Sequence, residues 1–292
     1  MKLDNLIEGK IIKRPSKYIR TPYVADILCI DPNSELLDEE LLGHTASLGC
    51  CGLADVNAHV LISSTNKSKI NLKTSKMQCT HSVYLSIIKD TNNSNSNIII
   101  GINPKLAELL TENALKLNLL SKLQNIRRYN RETVIKIKDI IDSRFDFTGI
   151  DENGNPFIME VKNVPLADYE DVSSKERKKM DFTGREFNTK VAYFPDGYRK
   201  TRLDPVSPRA LKHIKELTII KNSNNNIRCI MCYVIQRTDV NRFQPSVIDP
   251  EYRNAFRTAI NAGVEVITMV VSWTRNGEAY FIRDDLPISI DL

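Results

Sequence analysis

Two short segments carry the residues whose types and spacing could do chemistry. They are residues 143–147 (SRFDF) and 157–162 (FIMEVK), separated by a run of turn-forming residues at 151–155. The pattern predicts a β-hairpin, and if its turn centres on Asn153, Asp146 lies opposite Glu160. Because alternate strand residues point the same way, Lys162 shares the face of Glu160. An aspartate followed by Glu-x-Lys on one face is typical of Mg²⁺-dependent phosphodiester cleavage.

The alternation of the hairpin predicts one apolar and one charged face. The odd positions are apolar and would pack on the core, whereas the even positions include Arg144, Asp146, Glu160 and Lys162. A plainer interpretation is a surface hairpin whose charges form cross-strand ion pairs in solvent. The sequence leaves both interpretations open.

The chemistry would need these residue types for separate reasons. Mg²⁺ prefers hard oxygen ligands, usually one or two carboxylates, and Asp146 and Glu160 would supply them; Mn²⁺ is an alternative ion. A bound ion lowers the pKa of an attacking water and polarises the phosphoryl oxygen. Lys162 would position that water or neutralise charge that builds up on the phosphate.

The composition sets limits on the kind of protein. A chain of 292 residues fits two domains or one large one, and a net charge of +5 permits a polyanionic partner without requiring one. The first residues lack the apolar core of a signal peptide, and no apolar run is long enough to span a membrane. We therefore expect a soluble intracellular protein, cytoplasmic or, in a eukaryote, nuclear, with no membrane partner.

The six cysteines do not predict a metal site. Cys229 and Cys232 have C-x-x-C spacing, but they lie in an apolar run that is typical of a buried strand, and a second pair at zinc spacing is missing. Buried free thiols are the expected state.

The pattern of the chain changes near Pro104. Before it, about five short strands with little helix predict a small barrel, of which an OB-type barrel is one example. After it, the order is a helix, three strands, a helix, a strand, and then a helix and strands. We expect a mixed α/β (α+β) chain with the domain boundary at 103/104.

Several motifs together resemble the sugar fermentation stimulation protein A (SfsA) family. They occur at residues 143–147, 160–164, 193–196, 209–213, 242–245, 248–252 and 263–266. The resemblance covers most of the chain and is strongest between about residues 142 and 265. It implies an OB-like nucleic-acid-binding domain over 1–103, a PD-(D/E)XK nuclease-type mixed-sheet domain over 104–292, DNA binding, and metal-dependent nuclease chemistry.

Further charged residues are candidates for binding DNA. The spacing of Arg209, Lys212 and His213 predicts one helix face, which would contact phosphates or simply be solvated. Arg144 would contact a phosphate or pair with Glu160.

Two acidic residues are candidates for supporting the active site. Asp196 follows Phe194-Pro195 and is either an active-site acid or a turn aspartate. Glu112 lies on the first helix after Pro104, where a glutamate often joins the metal site in the nuclease class that the resemblance implies. Glu108 and Glu132 are alternatives to it.

Residues 169–190 form an insertion relative to the family. It would track a DNA backbone or form a solvated loop, and its basic residues are Lys175, Arg177, Lys178, Lys179, Arg185 and Lys190. The function that the sequence favours is Mg²⁺-dependent cleavage of DNA, single- or double-stranded. The alternative is a DNA-binding regulatory protein with an inactive nuclease fold.

Overall fold

The computed structural model describes residues 1–46, 52–72, 74–90, 97–138, 140–177, 179–195 and 205–290. The chain divides into two compact units. Unit 1 comprises Met1–Leu106, Gln236–Thr238 and Ser272–Tyr280, and unit 2 comprises Ala107–Ile235, Asp239–Val271 and Phe281–Leu292. Unit 1 therefore includes two segments from far beyond residue 103, which a single boundary does not anticipate.

Unit 1 is built on a closed ring of five strands. Its strand order is β1-β2-β3-β5-β4, and β4 pairs with β1 to close the ring, while β6 extends from β5. This order is OB-like and confirms the barrel predicted for the first hundred residues. The strands are β1 Ile7–Lys13, β2 Val24–Cys29, β3 Glu40–Thr45, β4 His59–Ser64, β5 His81–Lys89 and β6 Asn97–Gly101.

Buried apolar residues from all five strands fill the ring. Ile11, Ile27, Ile62 and Leu85 are fully buried, as period-2 alternation requires of strands with one face inward. Gly43 allows the close approach of β2 and β3, because a Cβ there would lie 2.3 Å from Cδ1 of Ile27.

Unit 2 is built on a six-stranded mixed sheet in the order β15-β14-β12-β9-β8-β7. The strands β9, β12 and β14 are parallel, whereas β7 and β8 continue the sheet as an antiparallel meander. The strands are β7 Arg128–Ile137, β8 Ile141–Ile150, β9 Pro156–Val164, β12 Arg228–Ile235, β14 Glu265–Trp273 and β15 Ala279–Arg283. A second, three-stranded sheet contains β10 Ala167–Asp168, β11 Lys190–Phe194 and β13 Val240–Pro245.

The helices are α1 Pro104–Lys116, α2 Ser174–Arg177, α3 Pro208–Ser223 and α4 Pro250–Asn261. The start of α4 is fixed locally, since Asp249 accepts a hydrogen bond from the backbone N–H of Tyr252 at 3.1 Å and proline follows it. The helix α3 contacts β12, β8 and α4, and its apolar stripe lies in the core of unit 2. The architecture confirms the mixed α/β class. None of the described helices is both long and apolar enough to cross a bilayer.

The cysteines that the structure describes are free thiols. Cys29, Cys229 and Cys232 are buried, and burial raises the pKa of both Cys229 and Cys232 to about 12. Cys50 and Cys51 lie outside the described residues. The C-x-x-C motif is therefore part of the packed strand β12.

Candidate metal centre

The hairpin of β8 and β9 brings Asp146 next to Glu160. The residue pairs Phe147–Met159, Thr148–Ile158, Gly149–Phe157 and Ile150–Pro156 form a register centred on Asn153. Asp146 lies one residue beyond the last of these pairs, and its carboxylate meets β9 at the N–H of Val161, the residue after Glu160. The turn is held by Asp151, whose Oδ1 accepts hydrogen bonds from the backbone N–H groups of Asn153 and Asn155 at 3.0 and 2.8 Å.

Asp146 is tied to the backbone of β9. Its Oδ2 accepts a hydrogen bond from the N–H of Val161 at 2.7 Å. Burial, the largest cause, and the nearby charge of Glu160 together raise the pKa of Asp146 to about 7, against the opposing effects of Lys162 and the Val161 N–H. A carboxyl group with such a pKa favours either a proton or a nearby cation.

Glu160 is almost completely buried, with 2% of its surface exposed. Its Oε1 accepts hydrogen bonds from Nζ of Lys162 and Nδ1 of His213. Burial alone would raise the pKa of Glu160, but Lys162 and His213 outweigh it and leave the pKa below its usual value. Its Oε2 is buried and has no hydrogen-bond partner among the residues that the structure describes.

His213 reaches Glu160 from α3, which corrects one prediction. Arg209 and Lys212 are exposed, as expected, but His213 is 3% exposed. The three residues therefore do not share a solvated face, and His213 points away from a position where it could meet a phosphate. The reason is that His213 belongs to the apolar stripe of α3, one turn from Ala210 and one turn from Leu217, both buried.

The charged face of the hairpin is not a solvent face. The helix α3 covers it near Glu160, so the interpretation as a surface hairpin is wrong there. Phe145 packs against His213 with ring centroids 5.7 Å apart, whereas Phe147 packs against Tyr129 at 6.0 Å. The two phenylalanines thus have different neighbours around Asp146. At this point the β7–β8 pairing omits Glu132, which has a positive φ of 51°.

Arg144 does not pair with Glu160. Its Nη1 lies 3.2 Å from Oε2 of Glu132, and both side chains are about half exposed. The pair leaves Arg144 on the surface, because Glu160 is turned inward beneath α3.

The helix α1 contributes Glu108 rather than Glu112 to the surroundings of Asp146. The carboxylate of Glu112 accepts hydrogen bonds from the Tyr129 hydroxyl at 2.9 Å and from Nη1 of Arg131 at 2.7 Å. It also forms an ion pair with Nζ of Lys116 at 3.0 Å. The negative charge of Glu108 is near enough to raise the pKa of Asp146 further, although burial is the largest cause. Asp196, the other predicted supporting acid, lies outside the described residues.

The basic insertion is not a free loop over the residues that the structure describes. Lys190 is buried, where Nζ donates to Oδ2 of Asp239 at 2.9 Å and lies 3.2 Å from the centroid of the Phe187 ring. Nε of Arg177 lies 2.6 Å from Oδ2 of Asp168, and Nη2 of Arg185 lies 3.1 Å from Oε1 of Glu170. Lys175 and Lys179 are exposed, and Lys178 lies outside the described residues. The predicted tracking of DNA is therefore wrong for Lys190.

The donor set fits one hard divalent cation. Asp146 and Glu160 are adjacent carboxylates, one with a raised pKa and the other with a buried oxygen that lacks a hydrogen-bond donor. The described part of the chain contains no group of three Asp, Glu, His or Cys side chains that could hold a metal. Such an ion would therefore take two protein carboxylates and complete its shell with water or substrate oxygens.

Comparison with known proteins gives consistent results. The model of the family described as "Sugar fermentation stimulation protein RE domain" matches residues 176–277. A sugar fermentation stimulation protein homolog of Crocosphaera subtropica is 29% identical over 285 residues, which are 96% of this chain and 95% of the relative. The Pseudomonas putida homolog is 30% identical over 57% of each chain, and that of Jannaschia sp. is 38% identical over 43% of this chain and 41% of its own.

The chain is similar to SfsA-family proteins over nearly its whole length. A solved structure, that of Pyrococcus furiosus SfsA in complex with Ca²⁺, covers 99% of this chain and 98% of its own with a TM-score of 0.71 at 17% identity. At that identity the match shows a common fold. These matches confirm the resemblance that the motifs carry.

The sequence did not predict two contacts of this site. The first is the bond from the Val161 N–H to Asp146, for which the sequence offers no signal because any residue supplies an N–H. The second is the bond from His213 to Glu160. The helical spacing of His213 from Ala210 and Leu217 was a usable signal for it.

Proposed function

We propose that this protein hydrolyses DNA phosphodiester bonds with Mg²⁺, or Mn²⁺ in its place. Asp146 and Glu160 are the metal ligands, and Lys162 is the catalytic cation. The observation that carries the proposal is the buried Oε2 of Glu160, which lacks a hydrogen-bond donor and lies beside an Asp146 carboxyl with a pKa of about 7. Buried polar atoms without partners are rare, and a metal ion is one of the causes.

The remaining contacts of the site hold these groups in position. The Val161 N–H holds Asp146, while Lys162 and His213 hold one oxygen of Glu160 and leave the other for the ion. When bound, Mg²⁺ supplies a water of lowered pKa and polarises the phosphoryl oxygen. The ammonium group of Lys162, which is 13% exposed, stabilises negative charge on the phosphate in the transition state.

The comparisons support a divalent cation. The Pyrococcus furiosus SfsA of similar fold was solved in complex with Ca²⁺, a cation that takes oxygen ligands as Mg²⁺ does. By this likeness, we extend divalent-cation binding to the present chain.

Exposed cations near the site support DNA as the substrate. Arg209 and Lys212 on α3 and Arg144 on β8 are solvent-accessible. Nζ of Lys212 donates a hydrogen bond to the backbone oxygen of Asp142 at 2.7 Å. Asp142 and Arg144 both lie near the start of β8, so Lys212 is at the same end of this strand as Arg144. Such side chains bind phosphates without reading sequence.

A nuclease assay tests the proposal. Single- and double-stranded DNA are incubated with the purified chain and Mg²⁺, Mn²⁺ or EDTA, and the variants D146N and K162A are compared with K136A. Lys136 is a suitable control because it is an exposed lysine, on the neighbouring strand β7. We expect metal-dependent cleavage by the parent and K136A and its loss in D146N. Cleavage by D146N at the parental rate would refute the assignment.

A second candidate function is DNA binding by a regulatory protein with an inactive nuclease site. The observation that favours it is the small ligand set, since the described residues offer two carboxylates and no third side-chain ligand. The two candidates separate in one experiment. Saturable Mg²⁺ binding together with DNA binding but without cleavage on either substrate would favour the regulatory protein.

A further inference from the structure

Two loops of unit 1 concentrate the positive charge of the chain. Residues 14–23 join β1 to β2, and residues 65–80 join β4 to β5. The first loop has three Lys or Arg residues and the second has four, whereas neither has an Asp or Glu. The positive charge of these two loops therefore exceeds the net charge of the whole chain, which is +5. These residues are Arg14, Lys17, Arg20, Lys67, Lys69, Lys73 and Lys76, of which Lys73 lies outside the described residues.

The two basic loops meet at an exposed tyrosine. Tyr18 of the first loop is 46% exposed. Nζ of Lys17 lies 5.0 Å from the centroid of its ring, and Nζ of Lys69, from the second loop, lies 5.2 Å from it. Lys17 is also paired with Glu40 at 2.6 Å. The contact from Lys69 joins the loops into one surface by cation–π attraction.

A second pair of rings lies where β2 and β3 are paired. Tyr23, which is 39% exposed, stacks on the exposed His44 with centroids 6.3 Å apart and an angle of 15° between the planes. Burial lowers the pKa of His44, and the charges of Lys105 and Lys67 lower it further. These two lysines therefore lie near the ring of His44.

We propose that this OB surface, formed by Tyr18, Tyr23, His44, Lys67 and Lys69, binds single-stranded DNA. Exposed aromatic rings interleaved with cations bind unpaired bases by stacking and their phosphates by charge. A duplex keeps its base faces covered, so the rings offer it little. The position agrees with the fold, because OB barrels bind oligonucleotides on strands 2 and 3 and on the loops that follow strands 1 and 4. The choice of DNA over RNA rests on the proposed function.

The test is a binding titration of the full chain in EDTA, which prevents metal-dependent cleavage. A labelled 15-nucleotide oligo(dT), a duplex of equal length and an RNA of equal length are compared by fluorescence anisotropy. We expect the single-stranded DNA to bind at least tenfold more tightly than the duplex. Equal or tighter binding of the duplex or the RNA would overturn the proposal.

Variants assign the binding to these residues. Y18A and Y23A are each expected to weaken binding of oligo(dT) roughly tenfold, while Y18F and Y23F keep the ring and the affinity. Y280A is the matched control, since Tyr280 is 51% exposed in the same unit but its hydroxyl donates to Glu278. If the affinities of Y18A and Y23A stay within twofold of that of Y280A, the rings do not bind bases.

The lysines are tested through salt. The double variant K67Q/K69Q is expected to flatten the log–log dependence of affinity on salt by about 1.4 units, because each phosphate contact on a single strand contributes about 0.7. An unchanged slope would refute the phosphate contacts. A chain that binds oligo(dT) but cleaves nothing would refute the nuclease and leave this proposal standing.

Discussion

Nδ1 of His213 and Nζ of Lys162 bond the same oxygen of Glu160, so a helix and a strand together determine which oxygen of this buried carboxylate remains for a metal ion. Partners that orient a ligand in this way usually affect metal affinity by about 10–100-fold. The arrangement makes His213 a positioning residue, not a phosphate contact.

Replacing His213 should weaken metal binding without changing the ligands themselves. We expect H213A to lower the affinity for Mn²⁺ about tenfold or more, and H213N to lower it less, because the asparagine amide can donate from near the position of Nδ1. The measurement is isothermal titration calorimetry. H59A is the control, since His59 forms a comparable but half-exposed pair with Glu8 in unit 1 at 3.1 Å. Equal affinities of H213A and H59A would contradict the positioning role.

The hairpin shows how far the sequence alone could lead. Turn-forming residues and the period of two are local signals, and they were sufficient to predict the hairpin register that brings Asp146 next to Glu160. The cover of α3 over Glu160 is a tertiary contact, and the charged neighbours of His213 in sequence suggested a solvated face instead. The barrel was predictable because its strands are short and separated by turn residues. The sequence did not predict that the segments Gln236–Thr238 and Ser272–Tyr280 belong to unit 1, because their contacts with it are long-range.

Asp146→Asn should stabilise the metal-free protein at high pH. Because the folded pKa of about 7 exceeds the ordinary 3.8, the folded state binds more protons than the unfolded state between these values. Stability is therefore lost as the pH rises from about 4 to 7, by up to about 4 kcal/mol. In EDTA we expect the Tm of D146N to exceed that of the parent at pH 8 and to match it more closely at pH 5. A difference in Tm between D146N and the parent that is the same at pH 5 and pH 8 would contradict the raised pKa of Asp146.

Metal binding should become weaker below pH 7. A divalent ion needs the Asp146 carboxylate without its proton, so binding competes with protonation. We expect the affinity for Mn²⁺ to fall nearly tenfold from pH 7 to pH 5.8 and to be nearly constant above pH 8. Calorimetry in buffers of different ionisation enthalpy should detect proton release at pH 6 and little at pH 8. Equal proton release at both values would show that Asp146 is not the group displaced.

Lys162 should matter for turnover more than for binding. If its ammonium group stabilises charge in the transition state, K162A lowers kcat by about 10²–10³ and changes the affinity for DNA only slightly. Single-turnover cleavage and a binding titration in Ca²⁺ separate the two effects. K136A serves again as the control. A K162A variant with parental kcat but weaker DNA affinity would reassign Lys162 to phosphate binding.

The insertion offers a contrast between two lysines of the same segment. Lys190 is buried against the rings of Phe187 and Tyr169 and bonded to Asp239, whose side chain is completely buried. K190A should therefore destabilise the protein by about 3–5 kcal/mol, because it leaves a buried carboxylate without its lysine. Lys175 is exposed, so K175A should leave the Tm within a degree or two. Thermal unfolding of the two variants without DNA at low ionic strength compares their stabilities. At a temperature where both variants are folded, the DNA affinity of K190A should depend on salt as that of the parent does. A flatter salt dependence in a fully folded K190A would restore Lys190 as a phosphate contact.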